Sequence, residues 1–340
     1  MAWSRHRITF TVAIGIVLTD LVVGGLLVLS SNGPVRPTAA VTSPSPSPPA
    51  SPSPSPSPQL RSPFTGKPVP SLSPVLAVKM DNAAGARPWT GLTHADIVYV
   101  LPVEGGLARL LAVFSSHVPP AAGPVRSARE DDLQLLRQFG RPAFAYSGAT
   151  PRLLRYIRRS PVVDLRAGRA GGYYRNLNRI APHNLYAQTR QLLAQASGAS
   201  QAHAIGFRFG PPPPGGRVTP SASVSYPAAS FTFTWSAADR RWLVSMNGTP
   251  AVSALGVQLS AATVVIQRTT VGTSRFRENG RRPPFAESTG SGSAVVLRSG
   301  RAWTVHWSRP SAGAGTTFTT ASGKPMTFAP GQVWVVLAAG

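Results

Sequence analysis

Short apolar runs separated by turn residues dominate residues 64–206. Their length is that of buried strands: Val75–Met80, Ile97–Leu101, Leu107–Phe114, Ala143–Tyr146 and Val162–Leu165. Two segments have helical spacing instead, Glu130–Phe139, which opens with three acids, and Arg152–Arg159, which follows Thr150-Pro151. Because helices alternate with strands, we expect an α/β or α+β N-terminal domain with a central sheet over residues 64–206.

The pattern changes after the Gly/Pro-rich segment 207–216, which reads as a linker. Residues 217–340 contain strand-length segments with turn signals between them and no convincing helix: SFTFTW, RRWLVSM, TVVIQRTT, SAVVLR, RAWTVHW and QVWVVLA. This predicts a small, mostly antiparallel all-β C-terminal domain. Alternation favours its tryptophans as core residues, and a carbohydrate-binding surface of exposed rings stays open as the alternative. The tryptophans are Trp235, Trp242, Trp303, Trp307 and Trp334.

A long apolar run near the N-terminus predicts a membrane anchor. Ile8–Leu29 is long enough to span a bilayer, and the basic flank of residues 1–7 predicts a cytoplasmic N-terminus with the folded domains outside. The core of a cleaved signal peptide is the alternative. Asp20 is the only charge in this run and would be costly at mid-membrane. We therefore expect a single-pass protein of the cell membrane.

Residues 30–63 form a Ser/Pro-rich stretch with Ser-Pro alternation from Ser43 to Pro58. A segment with no apolar face and few amide donors cannot fold, so we expect a disordered stalk between the membrane and the folded domains.

Composition narrows the function classes. The formal charge is +23, and only Lys67, Lys79 and Lys324 are lysines, so arginine supplies nearly all of the excess. Such a surface attracts anions, but the charge is spread along the chain, and the predicted location outside the membrane argues against nucleic acid as a partner. The chain has no cysteine, which removes disulfides, thiol nucleophiles and thiolate metal sites.

The candidate site residues stand in the N-terminal domain, mostly beside turns. They are Arg109, Arg126, Arg129, Arg87, Asp81, Asn82, Asp96, Glu104, His183 and Asn184. Arg126 and Arg129 flank a turn just before a helix N-terminus, and Arg109 opens a strand beside a Gly-Gly turn, a combination that suits a phosphate or carboxylate. The acids Glu130–Asp132 weaken this interpretation, because they could already occupy the helix amides. Asp81, Asp96 and Glu104 could hold a divalent cation or act as general base. Mutual pairing of these charges in a polar core explains them equally well.

Sharper catalytic motifs are absent from the sequence. The histidines lack HExxH spacing, no GxGxxG or Walker loop occurs, and the Gly-Ser-Gly run in TGSGSA lies in a predicted strand or turn and not at a strand-to-helix elbow. No catalytic residue, dedicated metal site or cofactor is therefore predicted. His183 in Pro-His-Asn is the best single candidate for acid-base work, with a purely structural turn as the alternative.

Several ordered motifs carry a family resemblance. VKMDN, ARPWTGLTHADIVY, VEGGLAR, GPVRSAR and APHNLY, followed by TVVIQRTT, GSGSAVVLRSGRAWTVHW and PGQVWVVL, resemble the YerB-like family of bacterial envelope proteins, also called domain of unknown function 3048. The resemblance spans nearly all of residues 62–338 and covers the family's N-terminal and C-terminal domains. It implies an exported, membrane-attached protein whose activity is unsettled.

This chain departs from the family pattern in three respects. Members are often lipoproteins, but without a cysteine this chain would depend on Ile8–Leu29 for attachment. Val100 and Leu101 stand where the family usually has acidic residues, and Ala108 replaces a threonine. The missing carboxylate makes a metal or acid-base mechanism based on carboxylates less favourable. It does not affect the interpretation of Arg109, Arg126 and Arg129.

Two functions follow as hypotheses. The first is a non-catalytic envelope protein whose Arg-rich pocket binds an anionic wall polymer, a lipid-linked glycan or a partner protein. The alternative is a metal-assisted phosphotransferase or hydrolase acting on cell-wall glycan precursors, in which Asp81, Asp96 and Glu104 hold Mg²⁺ while the arginines stabilise the transferring phosphate. The sequence does not decide whether the protein is an enzyme.

Overall fold

A computed structural model of the protein describes residues 59–340. The first part of this range contains eight strands and three short α-helices. In chain order they are β1 (Leu76–Met80), β2 (Ile97–Pro102), β3 (Ala108–Phe114), β4 (Ala121–Ala122), α1 (Glu130–Leu136), β5 (Ala143–Tyr146), α2 (Pro151–Arg159), β6 (Val163–Arg166), β7 (Tyr173–Arg175), β8 (Leu185–Gln188) and α3 (Thr189–Ala194).

The remaining described residues form strands only, apart from turns. They are β9 (Arg208–Phe209), β10 (Arg217–Val218), β11 (Ser221–Tyr226), β12 (Ala229–Ser236), β13 (Arg241–Met246), β14 (Thr249–Pro250), β15 (Ser260–Ala261), β16 (Thr263–Thr269), β17 (Val271–Thr273), β18 (Pro284–Ala286), β19 (Gly290–Arg298), β20 (Arg301–Arg309), β21 (Thr317–Thr320), β22 (Thr327–Phe328) and β23 (Val333–Ala339).

One mixed sheet runs through both parts of the chain. Its strand order is β10-β20-β19-β16-β23-β2-β3-β1-β5-β6, and β21 pairs with β20 to make eleven strands. The last strand, β23, runs parallel to both of its neighbours, β16 and β2. The N-terminal and C-terminal segments are therefore joined by a continuous ladder of backbone hydrogen bonds.

Burial on both faces explains the uninterrupted apolar runs of the central strands. In β2, Val98 and Val100 face one core, while Ile97 and Tyr99 face the other. Successive side chains of a strand point to opposite faces, so a strand covered on both sides needs apolar residues at every position. The motifs IVYVLP, RLLAVF and VWVVLAA meet this requirement.

Different elements cover the two faces. On one face lies a five-stranded antiparallel sheet of β11 to β15, whose Phe233 packs edge-on against Trp334 of β23 with ring centroids 6.0 Å apart. On the other face, α1 and α2 bury Leu133, Leu136 and Ile157 against the central sheet. The structure is thus layered, with the central sheet in the middle.

The predicted central sheet of the N-terminal domain and the antiparallel strands of the C-terminal segment are confirmed. The difference lies in how they combine, because the C-terminal segment contributes strands to the central sheet. Sequence patterns reveal strands but not their partners, since a parallel ladder between distant segments leaves no local signal. The domain boundaries themselves stay a prediction.

The Gly/Pro-rich segment 207–216 is held against the fold. Arg208 and Phe209 form β9, which pairs with β22, and Arg298 donates a hydrogen bond from Nη2 to the carbonyl of Gly210 (3.0 Å). The folded region also begins earlier than residue 64, because Arg61 bridges to Pro68 and the Ser62 hydroxyl accepts the amides of Phe64 and Thr65. A free linker or a disordered stalk would not make these contacts.

The tryptophans belong mainly to the core. Trp242, Trp303, Trp307 and Trp334 are buried, and the half-buried Trp235 packs on Trp242 with ring centroids 5.4 Å apart. The core interpretation is confirmed for four of the five, which leaves no row of exposed rings to bind a carbohydrate.

Within residues 59–340, none of the helices has the length and apolarity to cross a membrane. The predicted anchor, Ile8–Leu29, and most of the predicted stalk lie outside the described residues.

Candidate functional site

The candidate site is a cavity of about 520 Å³ at one end of β1, β2 and β3. The pairing of β1 with β3 brings together the residues at the bottom of the cavity. Met80 of β1 lies opposite Leu110 of β3, so the next residues outward, Asp81 and Arg109, project from the same side of the sheet. Glu104 follows the end of β2, on the turn that leads into β3. All three side chains line the cavity.

The loop before α1 supplies one wall. The amide of Arg126 donates to the carbonyl of Lys79 (2.8 Å), which fixes this loop along the edge of β1. The Arg126 Nε then lies 3.1 Å from Asp81 Oδ2. Five of the ten candidate residues therefore meet in one cavity: Asp81, Glu104, Arg109, Arg126 and Arg129.

Arg129 is fully committed to neighbouring acceptors. Its Nε and Nη2 donate hydrogen bonds to the two carboxylate oxygens of Glu104 (2.6 and 3.1 Å). Its Nη1 donates to the carbonyl of Ala128 (2.8 Å) and lies 3.5 Å from Glu278 Oε1. This bidentate pair is buried on the arginine side. Arg129 therefore holds the cavity wall together, and few of its donors remain for a ligand.

The C-terminal segment contributes the opposite wall through Glu278, Asn279 and Arg281. Sequence reasoning missed these residues. Asn279-Gly280 is a turn dipeptide, and both residues have positive φ (48° and 78°). The turn could have been found from the sequence, but its position opposite Arg129 depends on the pairing of β23 with β2.

Asp81 is the hub of a hydrogen-bond network behind the cavity. Its Oδ1 accepts the amides of Asn82 (2.9 Å) and Ala83 (3.2 Å), and its Oδ2 lies 2.7 Å from Nδ1 of His183. His183 thus reaches Asp81 from behind but does not line the cavity. An aspartate beside an imidazole orients the ring for proton transfer, and here the same Asp81 oxygen also pairs with Arg126.

Arg109 differs electrostatically from the other arginines. Burial lowers its pKa to about 10, and the charges of Arg129 and Arg126 act in the same direction, while Glu104 and Asp81 oppose the change. Its only hydrogen bond within residues 59–340 runs from Nη1 to the carbonyl of Ser127 (3.2 Å), and it forms no ion pair there. The cavity therefore contains a cation that no ion pair within the described residues compensates, although Glu104 and Asp81 act on it at longer range.

The two glutamates respond differently to Arg129. Burial works to raise the pKa of Glu104, but hydrogen bonds from Arg129 and its charge outweigh burial, so the pKa lies below its ordinary value. For Glu278 burial prevails and the pKa is raised, although Arg129 opposes it. Arg129 thus neutralises Glu104 fully and Glu278 only in part.

Four predicted residues lie elsewhere or face away. Arg87 stacks over Trp89 at 5.6 Å and reaches the carbonyl of Met246, while Asn184 accepts a hydrogen bond from Arg175 (2.7 Å). Asn82 and Asp96 are buried outside the cavity lining. Asp96 accepts the amides of Ser115 (2.7 Å) and Ser116 (2.9 Å) beside a different cavity, which the stacked His94 and His117 also line.

The expected anion site at a helix N-terminus is not formed. Asp132, in the first turn of α1, accepts the amide of Arg129 (2.7 Å) and also binds the buried Lys79 (2.6 Å). Asp132 therefore occupies the amide of the residue that precedes the helix, as a capping carboxylate does. A ligand in the cavity would meet guanidinium groups and not the helix end.

The three carboxylates proposed for Mg²⁺ cannot share one ion. Asp96 precedes β2 and Glu104 follows it, and a strand of six residues separates their positions by about 20 Å. Within residues 59–340, no cluster of three or more His, Cys, Asp or Glu side chains is arranged to hold a metal. One Mg²⁺ ion shared by Asp81, Asp96 and Glu104 is therefore ruled out by this spacing, and the metal-assisted reaction itself stays a prediction.

Fold and cavity together define a sheet-rich protein whose polar cavity is built from both parts of the chain. Residues 64–203 match the family pattern described as "Protein of unknown function (DUF3048) N-terminal domain", and residues 222–335 match its C-terminal counterpart. The chain belongs to this DUF3048 family, which confirms the resemblance seen in its motifs.

Two comparisons with individual proteins agree. The chain is 41% identical over 97 residues to "Putative lipoprotein YerB" of Bacillus subtilis (strain 168). That alignment covers 27% of this chain and 29% of the relative, so it spans less than a third of either. The crystal structure of YerB from Bacillus subtilis superimposes with a TM-score of 0.71 at 21% identity, covering 83% of this chain and 97% of the other. The latter likeness shows the fold.

Arg129 and Arg109 should affect stability in opposite ways, because Arg129 binds two carboxylates and Arg109 forms no ion pair within the described residues. Arg129→Gln should lower the free energy of unfolding by about 3 kcal/mol, because it leaves Glu104 and Glu278 without their buried partner. Arg109→Gln should leave it unchanged or raise it, because it removes a poorly compensated cation. Urea unfolding measures both, and equal losses for the two variants would contradict the assignment.

Asp96 predicts a pH dependence of stability. Burial raises its pKa to about 6 from a model-peptide value of 3.8, although the amides of Ser115 and Ser116 and the charge of His117 oppose this. Between these two values the folded state binds more protons than the unfolded state, so stability falls as pH rises.

The wild-type protein should therefore lose about 3 kcal/mol relative to Asp96→Asn between about pH 4 and pH 6, with a constant difference above that interval. Denaturant unfolding at a series of pH values measures the difference. Parallel stability curves for the two proteins would show that Asp96 titrates normally.

Proposed function

We propose that this protein is a membrane-attached protein of the cell envelope, with its folded part outside the membrane, and that its arginine-lined cavity binds an anionic envelope component. The location is supported by the predicted anchor Ile8–Leu29 and by the name of its Bacillus relative, a lipoprotein designation. Lipid attachment through cysteine is unavailable to this chain, so the anchor would perform the same task.

The observation that carries the binding proposal is that the partly buried Arg109 forms no ion pair within residues 59–340. Desolvation of a cation is unfavourable, and a bound anion would offset that cost. The cavity lining holds four arginines and three carboxylates, and two of those carboxylates already face Arg129. Positive charge is therefore left over at Arg109, with Arg126 and the exposed Arg281 beside it.

Guanidinium groups suit a particular class of anion. Their planar fork donates parallel hydrogen bonds to phosphate or carboxylate oxygens. Arg109 uses one donor and Arg281 donates none from its side chain within residues 59–340. A phosphate-bearing component of the envelope fits these donors, and so does a carboxylate-bearing wall polymer.

Binding is a better account of the cavity than catalysis. The carboxylates are engaged by Arg129, Arg126 and His183, so none is available as a free base. His183, which pairs with Asp81, lies outside the cavity lining, and the metal arrangement fails on the distance between Asp96 and Glu104. No observation on the described residues favours the alternative reaction on glycan precursors.

The proposed location has a direct test. In cells that express the full-length chain with an epitope tag at each end, protease added outside should remove the C-terminal tag and leave the N-terminal tag protected. The result follows from a cytoplasmic N-terminus and an anchor at Ile8–Leu29. Protection of both tags in intact cells, with digestion after lysis, would contradict the location.

The proposed anion site can be tested by titrating full-length protein with inorganic phosphate and pyrophosphate in a calorimeter. Arg109→Gln and Arg126→Gln should each weaken binding by about tenfold or more, because each removes charge-assisted hydrogen bonds. Arg190→Gln, which changes an exposed arginine of α3, is the matched control and should bind as the wild type does. Equal affinity in all four proteins would refute the site.

A further inference from the structure

A second cavity, of about 540 Å³, lies directly beside the arginine-lined one. The two share four lining residues: Val103, Glu104, Leu107 and Arg281. These residues belong to the turn between β2 and β3 and to the turn that follows Glu278. The two cavities therefore lie on opposite sides of one shared wall. A ligand that passes over the Glu104–Leu107 turn would occupy both cavities.

The second cavity has the opposite chemical character. Most of its surface is apolar, and Pro102, Val103, Pro227, Val271 and Pro284 contribute to it. Leu107 stands between the two cavities, and 38% of its surface is exposed. An exposed leucine next to prolines and valines offers apolar surface that water covers poorly. The groove therefore fits hydrocarbon, although polar side chains also line it: Glu104, Ser225, Tyr226, Arg281 and Arg282.

The groove is preformed by specific close contacts. Gly106 has φ +70°, and its carbonyl accepts the amide of Ala228 (2.9 Å). A Cβ at Gly106 would lie 2.6 Å from Cβ of Pro227, so only glycine permits this approach. Tyr226 fixes the other side by donating its hydroxyl to the carbonyl of Leu337 (2.7 Å). The turn between the cavities is thus anchored on both flanks.

We propose that the two cavities form a single site for an amphiphilic anion, with a phosphate-type head among Arg109, Arg126 and Arg281 and a hydrocarbon chain in the groove beside Leu107. The arginines require an anionic head group on the ligand. The shared wall brings the hydrocarbon chain of the same ligand into the groove. A free phosphate would leave the groove empty, and a neutral apolar ligand would leave Arg109 uncompensated. This inference rests on the proposed anion-binding function and names its ligand class.

The test uses full-length protein and a series of phosphate monoesters with one head and growing chains: methyl, butyl and hexyl phosphate, at concentrations below aggregation. Affinity should rise roughly fourfold for each methylene that the groove buries, which corresponds to about 0.8 kcal/mol. Hexanol, which has the chain without the charge, should bind far more weakly than hexyl phosphate.

A pair of substitutions on β11 isolates the groove. Ser225 lines it and is exposed, so Ser225→Trp should fill it and abolish the dependence on chain length while methyl phosphate binds as before. Ser223→Trp places the same side chain on the same strand face, outside the groove lining, and should leave the series unchanged. Thermal unfolding of both variants confirms that they are folded.

The outcomes separate the two proposals. If the three phosphate esters bind with equal affinity and Arg109→Gln weakens them all, the anion site stands and the amphiphile is refuted. If hexanol binds as tightly as hexyl phosphate, the groove works without the arginines and the joint site is refuted. If no phosphate ester binds, the proposed function fails together with this inference.

Discussion

The architecture depends on the parallel pairing of β23 with β2. This ladder joins Ile97–Val100 to Val333–Val336, residues more than two hundred positions apart, and places the C-terminal strands in the same sheet as the N-terminal ones. The cavity wall opposite Arg129 depends on it. Glu278 and Arg281 lie between β17 and β18, which pair with each other, and β17 follows β16, a neighbour of β23. The groove beside Leu107 has β11 and β17 residues on its far side.

The elements of the N-terminal half were predictable because each has a strong local pattern. Residues Ala143–Tyr146 form the predicted strand, and the helix expected at Arg152–Arg159 runs from Pro151 to Arg159. The approach of Asp81, Glu104 and Arg109 was predictable for the same reason, since all three stand beside ends of neighbouring strands. Asp96 could have been excluded on that reasoning, because it precedes the strand that Glu104 follows.

The rest of the site depends on strand pairing between distant segments and on which charged side chains form ion pairs. Local sequence patterns encode neither. Arg109 and Arg129 looked equivalent in sequence, but Arg129 has two carboxylates within reach and Arg109 has none in an ion pair. Of the three acids at the start of α1, Asp132 accepts the amide of Arg129 and pairs with Lys79, a role that the local sequence pattern does not reveal. Which charges cancel is decided by geometry at distances of a few ångströms.

The central position of β23 also governs how the chain can fold. Before that strand is in place, β2 presents an unpaired, almost wholly apolar edge and β16 presents one with the apolar run Val264–Ile266, a state that favours association with other chains. Local hairpins such as β19–β20 need no distant partner, but the ladder between the halves must close a loop of more than two hundred residues. The cavity wall that carries Glu278 and Arg281 therefore depends on a contact of very long sequence separation.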